Sequence, residues 1–161
     1  MTDDLAVFPA TIELSLAQPP RRYVRRPDLL AVHGELTGGS GAAEGELLAP
    51  GITLLPVALL NRVAEGARVT PVYSLGAAGH PLVPTGRVLV RFSEADQAET
   101  HRGAIERAGY RLVGPLAYAP HVAWVDSPDD AAHALGGLAR LEGLPGVVYV
   151  EPEMVGRRAS R

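Results

Sequence analysis

The side chains that most often carry out chemistry in proteins are sparse in this sequence, and their spacing matches no catalytic pattern. The chain has no Cys and no Lys, which excludes thiolate nucleophiles, cysteine-ligated metals, Schiff bases and a phosphate-binding loop lysine. The histidines show neither an i, i+4 pair nor a flanking acid at metal-ligand spacing; they are His33, His80, His101, His121 and His133. We therefore expect no metal, no cofactor and no enzymatic activity.

Charge and hydropathy exclude two further classes of protein. The 161 residues carry a formal net charge of -3, whereas a nucleic-acid binder normally has a basic surplus. The longest apolar stretch, Ile52–Leu60, is interrupted by Thr53 and Pro56 and is far shorter than the roughly twenty residues of a membrane helix. The N-terminus is acidic where a secretion signal would be basic. We expect a soluble cytoplasmic protein with no nucleic-acid or membrane partner.

The elements that would position a binding surface are clearest from Gly86 onward. Alternation across Arg87–Phe92 predicts a half-buried strand. Ser93 and Asp96 have capping-box spacing, which predicts a helix that begins there and ends at Gly109. The later predicted elements are a strand over Tyr110–Tyr118, a strand over His121–Asp126, a helix from Ser127 to about Gly143, and a strand over Val147–Glu151 that ends at Pro152.

The order strand, helix, strand, strand, helix, strand predicts an α+β fold. Specifically, it predicts a ferredoxin-like βαββαβ sandwich, an antiparallel sheet with two helices on one face. The first half of the chain has weaker strand signals and is expected to be an irregular, mostly β region; its candidate strands are Thr11–Leu16, Leu29–Gly34, Ile52–Leu59 and Arg68–Leu75. The predicted domains are therefore residues 1–67, 68–153 and a C-terminal tail, 154–161.

A sheet with both helices on one face leaves its other face uncovered. Alternation assigns five residues to that face. They are Leu89 from the first predicted strand, Trp124 from the third, and Val147, Tyr149 and Glu151 from the last. An open apolar face on a soluble domain is typical of a docking surface, although the N-terminal half could also cover it. These five residues are the predicted partner-binding residues.

Several segments resemble the N-terminal propeptide of bacterial subtilisin-like serine proteases, especially the fervidolysin-type prodomain. The resemblance covers roughly Arg68–Glu153. The matching residues are Thr70-Pro71-Val72-Tyr73-Ser74, Val83-Pro84-Thr85-Gly86 with Arg87–Phe92, Ala108-Gly109-Tyr110, Leu138-Ala139-Arg140-Leu141 and Leu144-Pro145-Gly146-Val147-Val148-Tyr149-Val150-Glu151-Pro152. The most specific of these is the last, because it joins a helix end, a turn and a strand.

The resemblance implies a domain that chaperones the folding of a protease and then inhibits it. Its sheet would lie against two protease helices, and its tail would enter the substrate cleft. The corresponding tail residues are Met154, Val155, Gly156, Arg157, Arg158, Ala159, Ser160 and Arg161. Such a tail can add main-chain hydrogen bonds to a strand of the partner, and the alternative is a frayed terminus.

The motifs of a subtilisin-like catalytic domain are absent from the sequence, so no Ser-His-Asp triad can be assigned. We expect a free-standing propeptide-like protein that binds, and inhibits or chaperones, a separately encoded subtilisin-like serine protease. The alternative is a ferredoxin-like structural or regulatory module for a non-protease partner. An RNA-recognition module would share the element order, but its aromatic strand signature and basic charge are missing.

Overall fold

β-strands dominate the computed structural model, which describes residues 3–37 and 45–157. The strands are β1 Thr11–Leu14, β2 Arg21–His33, β3 Glu46–Ala49, β4 Ile52–Pro56, β5 Arg68–Leu75, β6 Leu82–Phe92, β7 Arg111–Leu116, β8 Ala119–Asp126 and β9 Val147–Gly156. The α-helices are α1 Asp3–Ala6, α2 Arg102–Arg107, α3 Ala131–Gly136 and α4 Leu138–Glu142, and 3₁₀ turns span Val57–Arg62 and Ala98–His101.

Hydrogen bonding arranges seven of these strands in the order β3-β4-β2-β5-β6-β8-β7, with β1 beside β2 and β9 beside β6. The pairs β2–β4, β2–β5, β3–β4, β5–β6, β6–β8 and β7–β8 are all antiparallel. Within the described residues, none of the helices has the length and apolar character needed to cross a membrane.

The predicted α+β ferredoxin-like fold is wrong. The structure is mostly a nine-stranded antiparallel sheet, and the four α-helices in the described part of the chain are each only four to six residues long. Two physical causes account for the difference. The first half, expected to be irregular, contains the 13-residue β2, and glycine shortens the predicted second helix.

Both predicted helices begin later than expected. Ser93 and Asp96 form a turn, with the Asp96 amide 2.9 Å from the Ser93 carbonyl oxygen, and the first helical residue is Ala98. The N-cap of α3 is Asp130 instead of Ser127, and its carboxylate accepts a hydrogen bond from the His133 amide. Gly137 then separates α3 from α4, since glycine has low helix propensity.

The chain divides into two compact units, called here the first unit and the second unit. The first unit comprises Met1–Ala6, Tyr23–Pro84 and Met154–Arg161, and the second comprises Val7–Arg22 and Thr85–Glu153. The predicted boundary at residues 67/68 falls inside the first unit, whereas the predicted boundary at residues 153/154 coincides with a change of unit. Because β5 pairs along β2, Arg68–Leu75 belongs with the residues that precede it.

In the first unit, successive residues of β2 are buried on opposite faces. Ala31 packs with Leu54 and Val72, whereas Val32 packs with Leu55 and Val63. The register places Ala31 opposite Leu54 on β4, so side chains on the same face meet across the strands. Burial on both faces explains why this part of the chain reads as apolar runs without clear alternation.

His33 lies at the end of β2 in the first unit, between two polar neighbours. Its Nε2 is 2.8 Å from Thr70 Oγ1, and its Nδ1 is 3.4 Å from Arg68 Nη2. A guanidinium only donates hydrogen bonds, so this arrangement requires a neutral imidazole with its hydrogen on Nε2. Burial, and secondly the Arg68 charge, lower the pKa of His33 below its ordinary value.

This lowered pKa predicts a pH-dependent stability. The unfolded chain protonates His33 near its ordinary pKa of about 6.5, while the folded protein resists protonation. The contribution of neutral His33 to the free energy of unfolding is therefore complete above about pH 6.5 and is lost as the pH falls toward the lower pKa of the folded state. Urea unfolding at pH 7.5 and 5.5 should show a larger loss of stability in the wild type than in His33→Gln. Equal losses would contradict the assignment.

In the second unit, Tyr110 ties together the segments that carry α2 and α3. Its hydroxyl donates a buried 2.6 Å hydrogen bond to the Ala134 carbonyl, and burial raises the pKa of Tyr110. Arg140 Nε donates to the Ala108 carbonyl over 2.9 Å. A Cβ added at Gly137 would lie 2.6 Å from both the Tyr110 hydroxyl oxygen and Arg140 Nη2, so glycine permits this close approach.

Replacing Tyr110 by Phe should lower the free energy of unfolding by about 1 to 3 kcal/mol, because the buried Ala134 carbonyl loses its partner. Tyr118, which is 86% exposed, provides the matched control, and Tyr118→Phe should change stability by less than about 0.5 kcal/mol. Urea denaturation measures both variants. If the two variants had equal stability, the Tyr110 hydrogen bond would not be a stabilising contact.

Candidate functional site

The second unit presents one buried and one open face of β6. Val88, Val90 and Phe92 are fully buried. Between them, Arg87 and Leu89 are only half-buried and Arg91 is exposed. Side chains alternate along a strand, so one face of β6 lies in the core and the other is reachable from outside. We call the side chains on that second side of β6, β8 and β9 the open face.

β8, which pairs with β6, extends both the buried face and the open face. Val125 and Ala123 are fully buried opposite Val88 and Val90, whereas Trp124 is half-buried and lies directly opposite Leu89. The structure thus brings together two of the predicted partner-binding residues, Leu89 and Trp124, as a cross-strand pair. Such pairs have Cβ atoms about 5 Å apart, so they form a continuous surface.

Two arginines of β6 lie over the aromatic rings of the open face. The Arg87 Cζ atom is 4.7 Å from the centroid of the Trp124 ring, and the Arg91 Cζ atom is 5.6 Å from that of Tyr149. These are cation–π distances. The face predicted to be open and apolar therefore also carries charge, because guanidinium groups lie over its two aromatic rings. The sequence signal for these two residues is their even spacing from Leu89 along the strand, which places all three side chains on the same face.

Two other arginines hold the carboxylates of this face. Arg111 makes a two-pronged pair with Asp126, with Nε–Oδ1 and Nη2–Oδ2 distances of 3.0 and 2.8 Å. Arg21 Nη1 is 2.6 Å from Glu151 Oε1, and the Tyr149 hydroxyl donates a short hydrogen bond to the same carboxylate. Glu151, a predicted partner-binding residue, thus has partners within its own unit.

β9 supplies the remaining predicted residues and corrects two expectations. Val147, Tyr149 and Glu151 are each half-buried. Because alternation assigns Tyr149 to the open face, it predicts that Val148 and Val150 are both buried; Val150 is fully buried, but Val148 is 43% exposed. The strand does not end at Pro152 and runs to Gly156.

The predicted tail is therefore shorter than expected. Met154, Val155 and Gly156 are strand residues, and Val155 packs against the first unit's cluster around Ala31 and Val72. Arg157 Nη2 is 2.5 Å from Glu46 Oε1. The other predicted tail residues, Arg158, Ala159, Ser160 and Arg161, lie outside the described part of the chain.

The histidines make local contacts. His101 stacks on Phe92 with 4.1 Å between ring centroids, and its Nε2 is 3.6 Å from Asp96 Oδ2. His133 Nδ1 is 2.9 Å from Asp130 Oδ1 at the start of α3. Across residues 3–37 and 45–157, no three His, Asp or Glu side chains are grouped so that they could hold a metal ion.

Comparison with known proteins adds no assignment, since no family model, curated protein or solved structure matches this chain.

The different exposure of Val148 and Val150 in β9 predicts different outcomes for the same substitution at these two valines. Val150→Asp places a carboxylate without a partner in the core and should destabilise the protein by several kcal/mol. Val148→Asp leaves its carboxylate in solvent and should change stability by less than about 1 kcal/mol. Thermal melts of the two variants measure this difference. Equal destabilisation would mean that Val148 is buried like Val150 and that its exposure is misassigned.

Proposed function

We propose that this protein is a non-enzymatic binding protein whose second unit docks on another protein through the open face. The proposed partner is a subtilisin-like serine protease, which the protein inhibits or chaperones in the cytoplasm. The protein uses no cofactor in this role, and its partner is neither a nucleic acid nor a membrane.

One observation carries this proposal. Leu89, Trp124 and Tyr149 remain partly exposed in the middle of paired strands, while the residues that alternate with them, such as Val90 and Val125, are fully buried. Grouped apolar and aromatic side chains on an accessible surface are typical of protein–protein interfaces, where Trp, Tyr and Arg are enriched.

The choice of a protease as partner rests on the resemblance of the sequence to subtilase propeptides. The segments that carry much of this resemblance, Arg87–Phe92 and Val147–Glu151, are the parts of β6 and β9 that supply most of the open face. In the propeptide family, the corresponding sheet lies against the protease. The proposal assigns the same role to the open face here.

A second candidate function is docking on a non-protease partner through the same face. It is favoured by the position of Met154–Gly156, which belong to β9. In the propeptide family the corresponding residues enter the substrate cleft. Strand residues that pack into a core cluster are not free to fill a cleft, so binding would then occur without product-like blockade.

Substitution on the open face tests the proposed function. Leu89→Asp should weaken binding to the mature protease by about tenfold or more, because it removes an apolar contact from the centre of the face. The variant should fold, because Leu89 is only half-buried and lies on the same face of β6 as two charged side chains, Arg87 and Arg91. Tyr118→Asp, at the exposed β7–β8 turn, should bind like the wild type. Calorimetry with a catalytically inactive protease from the same genome measures all three.

The outcomes separate the two candidate partners. No binding of the wild type to the protease would contradict the protease assignment. Binding that Leu89→Asp leaves unchanged would instead contradict the role of the open face. Hydrolysis of a peptide substrate by the active protease, measured with and without this protein, shows whether binding also inhibits.

A further inference from the structure

Two guanidinium groups lie on the open face on either side of Leu89. Arg87 and Arg91 are four residues apart on β6, and an even spacing places both side chains on the same face. At about 3.3 Å per residue, their Cα atoms are roughly 13 Å apart along the strand. The row Arg87, Leu89, Arg91 thus presents a cation, an apolar side chain and a second cation.

Arg87 has a buried donor with no acceptor. Its Nε atom is buried and has no hydrogen-bond partner among the described residues. Asp126 lies directly opposite Arg87 on β8, but both carboxylate oxygens of Asp126 receive hydrogen bonds from Arg111. A buried donor without an acceptor is costly, and its presence shows that no described residue supplies an acceptor for the Nε end of this guanidinium.

Arg91 is exposed, and within residues 3–37 and 45–157 neither Arg87 nor Arg91 forms an ion pair. This separates them from Arg21 and Arg111, which are paired with Glu151 and Asp126. The Trp124 ring lies against one face of the Arg87 guanidinium, and the Tyr149 ring lies against one face of the Arg91 guanidinium. A guanidinium stacked in this way keeps its charge and its in-plane N–H donors for a carboxylate.

We propose that Arg87 and Arg91 bind two carboxylates of an acidic polypeptide segment that lies along β6, with Leu89 in contact with an apolar side chain between them. The inference rests on the proposed protein-binding function and names the chemistry of the partner surface. It does not depend on the partner being a protease. Charge-assisted, two-pronged hydrogen bonds from arginine to carboxylate provide both affinity and register.

A polypeptide fits this surface better than a nucleic acid does. Asp126 and Glu151 flank the arginines on the open face, so only anionic groups placed directly over Arg87 and Arg91 are attracted to this face. The aromatic rings already stack against guanidinium groups, so they are not open to stacked bases.

Trp124 is the single tryptophan of the chain and lies against Arg87, so its fluorescence reports on the site directly. Titration of the full-length protein with poly-L-glutamate at low salt should give a saturable change in Trp124 emission. Arg87→Gln combined with Arg91→Gln should weaken this binding by about tenfold or more. Arg102→Gln combined with Arg107→Gln, which removes the same charge from exposed sites around α2, should bind like the wild type.

Three results would overturn the inference. They are no response to poly-L-glutamate, equal weakening in both double variants, and tighter binding of polyuridylate than of poly-L-glutamate. Thermal melts establish whether each variant is folded; if the first double variant is not, the exposed Arg91→Gln alone should still weaken binding, and unchanged binding would be contrary evidence. Because no protease is present, failure of the protease assignment leaves this result unaffected.

Discussion

The second unit depends on the alternation of side chains along β6. Val88, Val90 and Phe92 are fully buried, and this fixes which side chains must face outward, since a slip of one residue would expose all three. The same register places Val125 beside Val88 and Trp124 beside Leu89. One buried apolar row therefore determines both the core of the unit and the composition of its open face.

That constraint also explains the chemistry of the open face. Arg87 and Arg91 must share a side with Leu89, and they are long enough to lie over the rings of Trp124 and Tyr149. The aromatic rings are thus partly shielded by charge, which keeps an apolar surface compatible with solvent. The same guanidinium groups give the surface directional donors, so the proposed partner would be bound by both apolar contacts and hydrogen bonds.

Local pattern predicted the strands better than it predicted their assembly. The predicted strand over Arg68–Leu75 is confirmed residue for residue as β5, because its β-branched residues and flanking glycines mark both ends. The fold class was wrong, since pairing of β5 with β2 is a long-range contact that no local signal reveals. The extension of β9 past Pro152 was not predicted either. Proline lacks only its backbone N–H donor, so a strand can include proline at a position where no ladder hydrogen bond requires that donor. The exposure of Val148 likewise depends on tertiary packing.

We propose that the open face of the second unit is the surface that contacts a protein partner. Hydroxyl-radical footprinting of the protein, alone and with the inactive protease, tests it most directly. We expect Trp124, Tyr149 and Leu89 to lose reactivity in the complex, while Tyr118, which is 86% exposed in the same unit, keeps its reactivity. Protection of Tyr118 with unchanged reactivity at Trp124 and Tyr149 would show that the partner contacts a different surface.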